Sequence, residues 1–238
     1  MDTILSLQNI SFSYGDKLIV DNLSLDIRQN EIVIIVGPSG CGKSTILRLI
    51  SQLETPQSGE IVVNNKSLRY LFQDYDAFPW YSVMENVKKS VPDNCKIAED
   101  EIEHLLQKLD IWESRNKYPK ELSFGMRKRL GLARCLIAKP TLLLLDEPFA
   151  ALDVDTKLES YSLLQNLHQE YNQTIIMITH DLQEAVLLGN RIIVSTKLPF
   201  RINTIINIPF DYPRTDKLYS ESSFQEFTNQ VRKGISTG

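Results

Sequence analysis

The chain has 238 residues, of which 42% are hydrophobic and 24% charged, so it has the composition of a folded domain with a sizeable core, not of a disordered segment. Lys and Arg number 26 against 30 Asp and Glu, a formal charge of −4. That balance argues against a nucleic-acid binder, which carries a clustered basic excess, and no apolar run approaches the ~18 residues of a membrane span.

Residues 1–9 carry an early acid and no basic-then-apolar pattern, so no secretory signal is expected. Leu5 and Leu7, then Ile10, Phe12 and Tyr14, alternate with polar neighbours, and Gly15-Asp16 supplies a turn. Leu23, Leu25 and Ile27 alternate again, which predicts half-buried antiparallel strands. Ile32 to Val36 is an uninterrupted apolar run, as expected of a central strand buried on both faces. A glycine-rich turn and a helix over 44–52 follow. The pattern then predicts a turn over 55–59, a strand over 61–63 ended by Asn64-Asn65, and a short strand over 69–72.

From there to about Lys139 the period becomes helical. Ile102, Leu105, Leu106 and Leu109 form one apolar stripe. Ser123 is a candidate cap for a helix reaching Ala138, with Met126, Leu130, Ala133 and Ile137 inward and Pro140 as its stop. Buried-strand character returns at 142–145 and 174–179, with a helix carrying Leu158, Tyr161, Leu164 and Leu167 between them. A strand over 192–194, an edge strand through Ile202, Thr204, Ile206 and Ile208, and a terminal helix with Phe224, Phe227 and Val231 complete the chain. Cys41, Cys95 and Cys135 are odd in number and far apart, which suggests a reducing compartment and neither a disulfide framework nor a zinc site. The expectation is a soluble intracellular α/β protein with a mixed-sheet core interrupted by a helical insertion.

Gly37-Pro-Ser-Gly-Cys-Gly-Lys-Ser-Thr45 fills the pattern G-x-x-x-x-G-K-[ST] between a buried strand and a helix. Small residues let backbone N–H groups turn inward onto phosphate oxygens, and the helix N-terminus adds partial positive charge. Lys43 is assigned to the β- and γ-phosphates and the Ser44 hydroxyl to Mg²⁺. Leu142-Leu-Leu-Leu-Asp146-Glu147-Pro148 ends an apolar strand in two carboxylates. Asp146 falls where such proteins keep Mg²⁺. Glu147 is able to take a proton from an attacking water, which points to hydrolysis. His180, in Met177-Ile-Thr-His-Asp181, ends another buried strand on the same rim; alone it reads as a structural hydrogen-bonding residue more than as a catalytic one. Gln73 has an amide suited to Mg²⁺ or to positioning water, though by itself it reads as a solvated loop residue.

With these in order, Leu122-Ser-Phe-Gly-Met-Arg-Lys-Arg129 resembles the signature of ABC ATPases, whose usual form is L-S-G-G-Q or L-S-G-G-M. The resemblance implies a RecA-like P-loop NTPase core with a mixed sheet, an N-terminal antiparallel β subdomain and an inserted α-helical subdomain. It assigns 1–238 to one domain, with core over 1–73 and 140–210, helical insertion over 74–139 and a helical tail over 211–238. Tyr14 matches the aromatic that stacks on adenine, and Gly37, Pro38, Ser39, Gly40, Cys41, Gly42, Lys43, Ser44 and Thr45 match the phosphate loop. Ser44, Gln73 and Asp146 match the Mg²⁺ set, Glu147 the general base, and His180 the switch histidine. Ala150-Ala-Leu-Asp153 matches the loop that meets a second subunit. The signature Ser123, Phe124, Gly125 and Met126 then caps a γ-phosphate held by the partner's Lys43 in a head-to-tail dimer. Phe124 stands where a glycine is commoner.

Phe72-Gln-Asp-Tyr-Asp-Ala-Phe-Pro-Trp-Tyr-Ser-Val-Met-Glu-Asn-Val87 is similar to a stretch of the ATPase subunits of nitrate, sulfonate, taurine, bicarbonate and thiamine-precursor importers. Asp181-Leu-Gln-Glu-Ala185 with Asn190-Arg191, and Phe210-Asp-Tyr-Pro-Arg214, extend the likeness, while the segment 65–70 is shorter than in most such proteins. This implies an ATP- and Mg²⁺-dependent subunit at the cytoplasmic face of the membrane. It would pair with a like subunit beneath two permeases, with an extracellular solute-binding protein acting through them and no nucleic acid. Phe78, Trp80 and Tyr81 then face a permease helix, or else pack within the insertion. A free-standing exporter ATPase and a soluble ABC ATPase are the alternatives. A P-loop kinase has no use for Ser123-Phe-Gly125 or for the Asp146-Glu147 pair.

Overall fold

The alternating strands at the N-terminus and the uniformly apolar strands go to different sheets. The computed structural model describes residues 2–64, 67–73, 77–91, 97–150 and 152–238; expectations resting on Asn65, Asp74, Tyr75, Asp76, Cys95 and Ala151 fall outside them. The alternating segments form β1 (Thr3–Tyr14) and β2 (Lys17–Arg28), joined through Gly15 at φ 56°. With β4 (Ser58–Val63) they make an antiparallel sheet in the order β2-β1-β4. The uniformly apolar segments form β3 (Ile32–Val36), β6 (Leu142–Asp146) and β7 (Thr174–Ile178), every residue buried. They lie in a larger sheet with β5 (Leu68–Leu71), β8 (Arg191–Ser195) and β9 (Ile202–Asn207), ordered β5-β6-β7-β3-β8-β9. All neighbours there run parallel except β8 and β9.

Consecutive residues of the central strands serve two cores. Ile32, Ile34 and Val36 pack with helices on one face, and Val33 and Ile35 pack against the antiparallel sheet and the first helix on the other. Each such side chain taken from water contributes about 1.5–3 kcal/mol, which makes the strands the rigid floor of the molecule. Helix α1 (Lys43–Ile50) follows β3, while α2 (Val83–Lys88), α3 (Glu99–Lys108) and α4 (Phe124–Leu136) are inserted between β5 and β6. Helices α5 (Val154–Tyr171), α6 (Leu182–Leu188) and α7 (Ser222–Thr237) follow β6, β7 and β9 respectively.

Helix α1 ends at Ile50, two residues before the expected end, and β7 at Ile178, one before; three other differences from the sequence pattern have a direct physical cause. Gly59 lies inside β4 and not in a turn, at φ 86°, because a Cβ there would fall 2.3 Å from the Gln8 carbonyl, where β1 is irregular. The strand expected over 69–72 is Leu68–Leu71, paired with β6 from Leu142, so Phe72 stands beyond it and is exposed. Helix α4 stops at Leu136, since Lys139 takes a left-handed φ of 46° ahead of Pro140. Cys41 and Cys135 are free and buried, and burial pushes the Cys135 thiol up to about 12. Among the described residues, no helix is long and apolar enough to cross a membrane.

Candidate functional site

The order β6-β7-β3 brings three strand ends to one edge, with Asp146 opposite Ile178 and Ile35 opposite Ile178. The phosphate loop, the two carboxylates and His180 therefore meet although they are far apart in sequence. Loop geometry is enforced by packing. Gly42 caps α1 at φ 106°, and a Cβ on Gly37 would sit 1.9 Å from Ser195 Oγ. Cys41 Sγ lies 3.2 Å from the same hydroxyl. The Lys43 ammonium donates to the carbonyls of Gly37 at 3.0 Å and Pro38 at 2.9 Å, so it is held across the loop mouth. Tyr14, 42% exposed, packs edge-on against Phe12 and donates to Glu54 Oε1 at 2.9 Å, leaving ring surface in solvent.

Asp146 is buried, and one of its oxygens, Oδ1, has no hydrogen-bond partner among the described residues. Burial raises its pKa, and the hydroxyls of Ser44 and Tyr70 oppose that rise. Tyr70 donates to Oδ2 at 3.2 Å, and burial beside this carboxylate pushes the phenol well above its ordinary value. Glu147 has a left-handed φ of 47°, uncommon for a residue with a Cβ, and its N–H donates to the Ile178 carbonyl at 3.1 Å. This bend turns its carboxylate to the rim. There Glu147 Oε2 accepts from Gln73 Nε2 at 3.3 Å and lies 3.4 Å from His180 Nδ1. Gln73, Glu147 and His180 thus share one point in space.

Ser123 caps α4 by accepting from the Met126 N–H at 3.2 Å, and both Ser123 and Phe124 are exposed. Phe124 lies under the cations of Arg127 and Lys128, at 5.8 and 5.5 Å from its ring centre. Asp153 caps α5 through the Thr156 N–H at 3.0 Å. Ser123, Phe124, Gly125 and Asp153 line one cleft of about 740 Å³, to which no residue of the phosphate loop contributes. In the loop after Gln73, Trp80 is 66% exposed, while Phe78 and Tyr81 are half-buried. Asn86, fully buried, receives the Phe78 N–H and donates to the carbonyls of Phe78, Tyr81 and Ser82, which holds these rings in place.

Residues 20–150 match the family described as ABC transporter. The chain belongs to the ABC transporter family. It is 39% identical over 238 residues to the aliphatic sulfonates import ATP-binding protein SsuB of Burkholderia ambifaria, covering 98% of this chain and 72% of that one. It is 33% identical to the protein of the same name from Bacillus cereus, over 94% of this chain and 91% of that one. Among solved structures it superimposes on cbiO1 of Clostridium perfringens, part of the transporter complex cbiONQ, with a TM-score of 0.77, 27% identity and coverage of 100% and 99%. It also matches the dimeric post-hydrolysis cassette MJ0796 bound to ADP and Pi, with a TM-score of 0.74, 26% identity and coverage of 87% and 100%.

As an ABC ATPase the chain binds ATP and hydrolyses it in transport, and the dimeric cassette beneath permease subunits is the family's usual assembly. Two contacts of this ABC site were not anticipated from sequence. The sequence pattern places Tyr70 only in a short strand, and in the structure it donates to Asp146. Lys128, within the signature helix, donates to the Gln73 carbonyl at 2.6 Å and ties that helix to the Gln73 loop. The strand register of β5 against β6 signals the first; nothing local signals the second.

Proposed function

We propose that this chain is the ATPase subunit of an importer for small organic anions of the aliphatic sulfonate class, with Glu147 as the general base. The observation that carries the chemistry is the convergence of Gln73 and His180 on one Glu147 oxygen, at 3.3 and 3.4 Å. A carboxylate so placed takes the proton of an attacking water, while Gln73 orients that water and His180 steadies the phosphate. Lys43 and the loop N–H groups grip the phosphates, and Tyr14 stacks on adenine. The lone Asp146 oxygen supports Mg²⁺. With the Ser44 hydroxyl and Gln73 amide it forms a hard oxygen set of low charge, which suits a cation that keeps phosphate oxygens and waters as ligands. When bound, Mg²⁺ neutralises charge on the β- and γ-phosphates.

The exposed signature and the cleft it shares with Asp153 support a head-to-tail dimer in which Ser123 and Gly125 close over the partner's nucleotide. Within each chain we divide the ABC domain into a core over 1–73 and 140–210, a helical insertion over 74–139 and a tail over 211–238. Trp80, with Phe78 and Tyr81 beside it, forms the patch that receives a permease helix. The assembly is peripheral at the cytoplasmic face of the inner membrane, with an extracellular solute-binding protein delivering the anion to two permeases. The relatives' names as sulfonate importers favour uptake over the exporter and soluble alternatives.

Glu147→Gln tests the base. Steady-state hydrolysis is expected to fall by roughly 10²-fold or more, while ATP binding persists and the ATP-bound dimer accumulates. Continued turnover at the parent rate rejects the assignment. Uptake of a labelled alkanesulfonate by the assembled complex, against nitrate and bicarbonate as competitors, tests the solute class. Blockage by nitrate or bicarbonate but not by other sulfonates rejects it.

A further inference from the structure

Arg214 is among the largest fully buried side chains of the molecule, 2% exposed, and no carboxylate among the described residues pairs with it. A buried cation needs compensation, and here it comes from carbonyls. Its guanidinium donates to Val186 at 3.0 Å, Leu187 at 3.4 Å and Gly189 at 2.7 Å, and twice to Phe210, at 2.9 and 2.6 Å. The first three are carbonyls at the C-terminal end of α6, where unpaired acceptors and partial negative charge collect. Tyr212, stacked 4.3 Å from the Arg214 carbon, donates to the Leu188 carbonyl beside them. Meanwhile the Arg214 backbone is held from a different helix, since Gln165 of α5 accepts from its N–H at 2.6 Å and donates to its carbonyl at 2.9 Å.

Arg214 thereby fastens α6 to α5, and it is the last of a row of such fastenings. Lys157 lies 3.4 Å from Asp181, and the Tyr161 hydroxyl donates to Glu184 at 2.8 Å. Lys157, Tyr161 and Gln165 follow at intervals of four, so one stripe of α5 carries the whole row. At its N-terminal end α6 begins with Asp181, whose side chain accepts from the N–H groups of Gln183 and Glu184. His180 is the residue before that cap. Its other flank is fixed through Thr179, which donates to the Ile35 carbonyl at 3.3 Å. Strand β7 sets one side of His180, and α6, only seven residues long, sets the other.

We propose that Arg214 is a positioning residue for ATP hydrolysis: its clasp on the C-terminal end of α6 fixes the helix whose N-cap, Asp181, directly follows His180, and so keeps His180 facing Glu147. The inference rests on the reading of His180 as the residue that steadies the phosphate. Arg214 is buried and contacts the end of α6, Gln165 of α5, Phe210 and Tyr212, so its effect on the reaction is exerted through His180. Without it the C-terminal end of α6 loses its strongest clasp while Lys157 and Tyr161 still hold the other end, so the helix can tilt about its cap, and a displacement of about 1 Å at a reacting group suffices for a large loss of rate.

The full chain has three histidines, His104, His168 and His180, which makes ring resonances of ¹⁵N-histidine-labelled protein a direct readout. Arg214→Gln is expected to shift or broaden the His180 signal, leave exposed His104 unmoved, and lower kcat roughly tenfold with the KM for ATP within about twofold. Arg214→Lys, which keeps the charge without the fork, should recover part of both. An unchanged His180 signal, or a rise in KM at constant kcat, overturns the proposal. If Arg214→Gln does not fold, Gln165→Ala is read in the same way, because it releases the Arg214 backbone and spares the guanidinium. His180→Ala separates the two ideas. Parent-level hydrolysis in that variant removes the reading of His180 and this inference with it. Its loss, combined with an undisturbed His180 signal in Arg214→Gln, removes the inference alone.

Discussion

The two helix starts to which we assign phosphate binding are built differently. Around α1 the loop is packed from within: Gly37 has no room for a methyl, Cys41 is 1% exposed, and Lys43 is held by two loop carbonyls. Around α4 the loop faces outward, with Ser123 and Phe124 exposed and Gly125 in ordinary contact distance of Thr156 and Leu152. The first is a finished half-site whose shape one chain determines. The second opens on a cleft lined by Ser123, Phe124, Gly125 and Asp153 and by none of the described residues of the phosphate loop, and in the proposed dimer its complement comes from another chain. Packing limits mutation at the first, and on the proposed dimer assembly limits it at the second.

Equivalent glycine changes break this contrast in opposite ways. Gly37→Ala places a methyl 1.9 Å from Ser195 Oγ and should cost about 1–3 kcal/mol, visible as a lower Tm of the isolated chain together with lost ATP binding. Gly125→Ala meets nothing closer than 3.5 Å, and its Tm should stay level or rise slightly, since alanine is the better helix former. ATP binding by that chain should also persist. Steady-state hydrolysis should nevertheless fall, by roughly tenfold, because in the proposed dimer the methyl lies where the second chain brings its nucleotide. A Gly125→Ala chain that loses Tm as Gly37→Ala does would erase the distinction.

A smaller effect sharpens it at the seam between α5 and α6. Glu184 is buried beside Tyr161, Thr179, Asp181 and Lys157, and burial raises its pKa to about 7 from 4.5. The folded chain then holds a proton between those values that the unfolded chain gives up, so this group makes stability fall as pH rises from about 4.5 through 7. Glu184→Gln should flatten the decline in Tm between pH 5.5 and 8 without altering ATP binding at the distant phosphate loop. An unaltered slope would show that Glu184 is ionised throughout that range.

Sequence made the contiguous chemistry legible. The phosphate loop, Asp146-Glu147 and the cap at Ser123 are each written within a few residues, because strand ends and helix starts present their functional groups locally. Strand type was legible for the same reason, since alternation and uniform burial leave different periods. What escaped is pairing at long separation. Tyr70 meets Asp146 across 76 residues, and Lys128 meets Gln73 across 55, both through the placement of β5 and α4 and not through any local pattern. Gly59 read as a turn because glycine marks turns and close approaches alike, and only the path of β1 decides between them. Arg214 belongs to a stretch similar to importer ATPases, but the contacts it makes depend on where α6 ends, which no periodicity marks.

A mixing experiment tests most directly whether each ATP lies between Lys43 of one copy and Ser123 of another. Chains carrying Lys43→Ala and chains carrying Ser123→Arg are each expected to be inactive in steady-state hydrolysis. Mixed, they form some dimers in which one composite site is intact, and hydrolysis should return. If the mixture stays as inactive as its components although the two chains are found in one dimer, ATP is not shared between copies in this way.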